Sequence, residues 1–64
     1  MYEVTWINPQ WTFRSKPEVL QTTRKSEVTA VVRRARAYPG SCEIQSITRT
    51  TKKNGVEYLS SRSF

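Results

Sequence analysis

Cys42-Glu43-Ile44-Gln45-Ser46-Ile47-Thr48-Arg49-Thr50-Thr51-Lys52-Lys53-Asn54-Gly55-Val56-Glu57-Tyr58-Leu59-Ser60 is the stretch that decides the fold. Residues 42–51 are rich in β-branched side chains and contain no breaker, so they predict a strand. Asn54-Gly55 then marks a hairpin, because both residues tolerate the positive φ that a type I′ turn demands. Residues 56–60 are the returning strand, with Val56 and Tyr58 on one face and Glu57 and Leu59 on the other. The tail, Ser61-Arg62-Ser63-Phe64, is too polar to hold itself, although Phe64 offers a ring that can pin it to a core.

Upstream of the hairpin the period changes from two to 3.6. Val28, Val31, Val32, Ala35 and Tyr38 recur on one helical face, which predicts a helix over 26–38. Ser26 suits the N-cap and Glu27 the positive end of the dipole. Tyr38-Pro39-Gly40 ends the helix: proline cannot continue the ladder and glycine takes up the left-handed turn. The valines lower intrinsic helix propensity, so this helix depends on packing against a sheet.

At the N-terminal end, Tyr2-Glu3-Val4-Thr5-Trp6-Ile7 alternates so that Tyr2, Val4 and Trp6 share one face of a strand. Asn8-Pro9-Gln10 breaks it. A tight reversal there would return Trp11-Thr12-Phe13-Arg14 antiparallel to the first strand. Lys16-Pro17 interrupts again, leaving an edge strand with a break or an extended loop that resumes at residues 18–22. The order strand, weak strand, helix, strand, strand gives an α+β domain: a small antiparallel sheet with one helix packed on one face and the other face open. Its expected core is Val4, Trp6, Phe13, Val28, Val31, Val32, Ala35, Tyr38, Ile44, Ile47, Val56 and Tyr58.

The 64 residues make one domain with a thin core, residues 1–64 together. Neither of the usual staples is within reach, for there is one cysteine and no histidine. A lone Cys42 fits a reducing compartment and a cytoplasmic protein, and it reads more readily as a small buried hydrophobe than as a reactive thiol. The start of the chain lacks the pattern of a signal peptide, and no apolar run approaches the roughly 20 residues that cross a bilayer. With neither histidine nor aspartate, catalytic triads, metal clusters and proton relays cannot be assembled, so no enzyme, metal or cofactor is expected. The two glycines stand singly, which excludes a phosphate-cradling loop.

Charge is the most informative bulk property: eleven Lys and Arg against five acidic residues, a formal net charge of +6. A nucleic acid is the partner class this suggests, and a charge that merely keeps a small domain soluble is the plainer alternative. Arg33, Arg34 and Arg36 lie on the predicted helix, where arginine suits bidentate phosphate recognition and where cations also simply complement the dipole. Arg49, Lys52 and Lys53 gather at the hairpin tip, a place for groove contacts or for lysines that guard a sheet edge. Trp11 and Phe13, followed by Arg14 and Lys16, resemble the interleaving of rings and cations used on single strands, although a small core also needs its aromatics.

The expected function is accordingly a non-enzymatic nucleic-acid-binding accessory or regulatory protein, in which these basic residues contact phosphates. The alternative is a small protein-binding inhibitor or adaptor, of the kind bacteriophages encode, that docks the same arginines on an acidic protein surface or adds a strand to a partner sheet. A homodimer would enlarge the thin core.

Overall fold

The computed structural model describes residues 1–11 and 16–64, Trp11 by its backbone alone. Four strands and one helix follow the expected order: β1 (Tyr2–Ile7), β2 (Glu18–Thr22), α1 (Lys25–Ala37), β3 (Glu43–Thr51) and β4 (Gly55–Tyr58). Short 3-10 turns occupy Pro9–Trp11 and Ser61–Ser63. The fold is α+β, an antiparallel sheet in the spatial order β2-β1-β3-β4 with α1 against one face. β1 is a central strand, bonded to β2 on one side and to β3 on the other. Both neighbours run antiparallel to β1, so β2 and β3 are parallel to each other, and α1 is the crossover between them.

The register assigns each side chain to a face. Leu20, Val4 and Ile47 form one row across β2, β1 and β3, and Thr22, Tyr2 and Arg49 form the next. This inner face meets Val28, Val31 and Val32 of α1, which with Val4 and Ile47 make the buried core. The largest fully buried side chains are valines, Val4, Val28 and Val32, which is as thin a core as the composition implied. Tyr2, Trp6, Leu20, Ile44, Leu59 and Phe64 pack around it, partly buried. Between Thr5 and Trp6 the pairing with β3 slips by one residue, Thr5 opposite Ser46 and Trp6 opposite Ile44. That bulge returns Ile44 to the inner face beside Trp6.

Several local expectations are corrected. Val56 and Tyr58 are 59% and 81% exposed and belong to the open face, whereas Leu59 and Glu57 take the inner one. The alternation was sound, but which face turns inward is set by pairing: Thr48 lies opposite Tyr58, and Thr48 shares the outer face with Glu3. Tyr38 is 64% exposed, because the helix ends at Ala37 and Tyr38 leaves helical geometry (φ −131°, ψ 65°). Gly40 has no positive φ; the turn closes instead through the backbone N–H groups of Ser41 and Cys42, both donating to the Tyr38 carbonyl at 3.0 Å. Ser26 is inside the helix, and the cap position falls to Arg24, which makes no side-chain cap bond. Buried Thr22 begins the turn into α1 by accepting the Arg24 backbone N–H at 3.0 Å. The hairpin is not type I′, since only Gly55 has a positive φ, 67°, and residues 52–54 form the loop between the paired Thr51 and Gly55. The region following Trp11 pairs with β1 through residues 18–22. Phe13 and the return through residues 12–14 lie outside the described residues.

Candidate functional site: a basic helix layer and an adjoining cleft

Charge is separated between the two layers of the fold. The helix and its cap carry Arg24, Lys25, Arg33, Arg34 and Arg36 against Glu27 alone, and all five cations are exposed. The four strands carry Glu3, Glu18, Glu43 and Glu57 against Arg49 alone. Of the two layers the helix is therefore the positive one, while Lys16, Lys52, Lys53 and Arg62 stand in the turns and the tail. Among the described residues the outer sheet face has no cation: it presents Val19, Thr5, Ser46, Thr48, Thr50, Val56 and Tyr58, with Glu3 accepting a cross-strand bond from Gln21 Nε2 at 2.9 Å.

The three helix arginines have three different environments, which follows from their angular positions around the axis. Arg33 points away from the sheet and is exposed. Arg34 lies on one flank, its guanidinium carbon 5.5 Å from the centroid of the Trp6 ring, within cation–π range. Arg36 lies on the other flank and holds the tail, donating from Nη2 to the Ser61 carbonyl at 2.7 Å and from Nη1 to the Phe64 carbonyl at 3.4 Å. The same flank places Lys25 Nζ 5.5 Å over the Phe64 ring, which meets Tyr2 edge-on at 6.3 Å. The tail is thus pinned to the inner face at Phe64, as its ring suggested.

Arg49 is not part of the hairpin tip. It stands on the inner face of β3 opposite Glu57, with Nη2 donating to Oε2 at 2.7 Å, while Asn54 Nδ2 donates to the other carboxylate oxygen at 3.3 Å. The hydrogen bond and charge of Glu57 raise the guanidinium further above its ordinary value. Lys52 and Lys53 are exposed in the loop itself. They sit at the sheet end shared with Thr22 and the start of α1, whereas Arg34 lies over Trp6 at the opposite end, so tip and arginines are separate features.

Trp6, Asn8, Lys16, Glu18, Arg34, Ser41 and Cys42 line a cleft of about 230 Å³ at that opposite end. Of the basic positions marked in the sequence, Lys16 and Arg34 are brought together here. Cys42 is buried in its wall, 4% exposed. A second hollow of about 270 Å³ lies against Val32, Ala35 and Ile44 beside Arg36 and Ser61. Arg14 and the Trp11 side chain lie outside the described residues. Sequence reasoning missed Trp6 as a cleft residue, together with Asn8, Glu18 and Ser41. It also passed over Arg24 and Lys25, which a helical projection begun two residues earlier would have placed on the basic layer. No family model, curated protein or solved structure matches this chain.

Proposed function

We propose that this domain is a non-enzymatic nucleic-acid-binding accessory protein that meets phosphates with its helix layer. The separation of charge carries this reading: five exposed cations and one carboxylate on the helix and its cap, against a sheet whose one cation is paired with Glu57. A charge serving solubility alone has no reason to collect on one layer, whereas a polyanion rewards that concentration through counterion release. Arg33 and Arg34, with Arg24 and Lys25 a few turns away, are the residues expected to carry the contact. Arg36 contributes through charge, its donors being engaged by the tail. Fluorescence anisotropy with a labelled oligonucleotide over a salt series tests the proposal. Four to six phosphate contacts give a slope of log K against log salt of about −3 to −5. An affinity independent of salt would remove the helix layer from the binding reaction.

A second reading, a protein-binding inhibitor or adaptor, draws on a different observation: Val19, Val56 and Tyr58 are exposed on the sheet face that the helix leaves open. Exposed apolar groups on a flat face favour a protein partner. The variant Val56→Lys with Tyr58→Lys separates the readings, because it would abolish protein binding through that face while leaving oligonucleotide affinity intact or raised.

A further inference from the structure

We propose that the cleft between Trp6, Arg34 and Lys16 seats one unstacked nucleotide, with the base against the Trp6–Arg34 pair and the phosphate on Lys16. This inference deepens the nucleic-acid reading by making part of the binding depend on bases and not on backbone charge alone.

The cleft is assembled from separate parts of the chain. Trp6 comes from the end of β1, Asn8 from the turn after it, Lys16 from the approach to β2 and Glu18 from its first position, Arg34 from the last turn of α1, and Ser41 with Cys42 from the link to β3. Convergence of so many segments fixes polar groups in relative position, as a binding site requires. Its volume, about 230 Å³, lies below the roughly 300 Å³ at which sites for drug-sized ligands begin, so one planar ring and its phosphate suit it better than anything larger.

The lining supplies each interaction a nucleotide needs. Trp6 is half-buried, which fixes its indole, and the Arg34 guanidinium lying over that ring turns its own planar cationic face outward; both kinds of group stack on bases. Lys16 is exposed at the mouth and suits a phosphate as a compact charge. Asn8 uses its Oδ1 to accept the Gln10 backbone N–H at 3.0 Å, which fixes the amide plane and leaves its NH₂ donors for a ligand. Ser41 donates to the Tyr38 carbonyl at 3.3 Å and keeps its oxygen lone pairs as acceptors. Glu18 distinguishes this arrangement from a plain phosphate site: a carboxylate repels a bare anion but accepts from the exocyclic amino group of a base.

The test compares a single-stranded oligonucleotide of about ten nucleotides with a backbone of the same length lacking bases, by anisotropy at fixed salt. Stacking of one base predicts tighter binding of the intact strand by about 5- to 150-fold. Arg34→Gln should erase most of that difference, whereas Arg33→Gln, which removes an equal charge outside the cleft, should weaken both strands alike. Titration with cytidine monophosphate should shift the Trp6 indole resonance in the NMR spectrum where inorganic phosphate does not. Equal, salt-dependent binding of both strands to the parent would overturn the cleft and leave the helix layer standing. Loss of base dependence in Arg33→Gln to the same extent as in Arg34→Gln would also overturn it. Failure of both strands to bind at low salt would overturn both readings.

Discussion

Replacing Arg33, Arg34 and Arg36 by glutamine, one at a time, separates the jobs that the structure gives to three similar side chains. Arg36 donates to the Ser61 and Phe64 carbonyls at 2.7 and 3.4 Å. A charged hydrogen bond contributes about 1.5 to 3 kcal/mol in general, toward the lower end at an exposed site, and the longer contact adds little. Loosening the tail also weakens the edge-on contact between Phe64 and Tyr2, a kind of pair worth about 0.5 to 1.5 kcal/mol. Arg36→Gln should therefore cost about 1 to 2 kcal/mol. Arg34→Gln gives up an exposed cation–π contact and should cost about 0.5 to 1 kcal/mol. Arg33→Gln touches nothing and should stay within about 0.5 kcal/mol of the parent. In urea, where a domain of this size unfolds with a slope near 1 kcal/mol/M, the Arg36 variant should lose about 1 to 2 M of midpoint. Its Tm should fall by roughly 4 to 8 °C per kcal/mol. Combined with Phe64→Ala, the loss at Arg36 should be less than additive, since both changes release the same tail. An Arg36 variant as stable as the Arg33 variant, or strict additivity with Phe64→Ala, would refute the reasoning.

Other outcomes follow from the facing of the strands. Tyr58→Ala should change stability by less than about 0.5 kcal/mol, because the ring is 81% exposed, whereas Leu59→Ala should cost about 1 to 2 kcal/mol from the partly buried rim of the core; reversal of that order in urea melts would mean that β4 faces the other way. Val4→Ala removes two methyl groups from a fully buried site and should cost about 2 to 3 kcal/mol, a large share of the roughly 3 to 10 kcal/mol expected for a domain of this length. Gly55→Ala should cost about 1 kcal/mol through its positive φ alone, since an added Cβ meets nothing within 4 Å, and Gly55→Asn should cost less; equal melting of Gly55→Ala and the parent would exclude the left-handed turn.

The elements and their order were legible in the residues, because short-range physics produces them. The 3.6-residue recurrence of Val28, Val31, Val32 and Ala35 requires a helix with one buried stripe, and a β-branched run before Lys52-Lys53-Asn54-Gly55 with the alternating Val56-Glu57-Tyr58-Leu59 after it predicts a hairpin. The thinness of the core and the excess of positive charge were legible too, both being composition. Which strands are neighbours is a long-range property, since a pairing between residues 2–7 and 43–51 spans about forty residues and leaves no local trace. With β1 placed centrally, the inner face was fixed, and with it the exposure of Tyr58, the inward, partly buried position of Leu59 and the pairing of Arg49 with Glu57. The arginines were visible as a cluster in the sequence but not as three environments. That division arises because consecutive helical positions turn by about 100°, so that one guanidinium reaches Trp6, another the tail carbonyls and the third only water. The cleft was the least legible feature, for its lining comes from separate chain segments whose meeting is a property of the packed helix and sheet and of no single stretch of sequence.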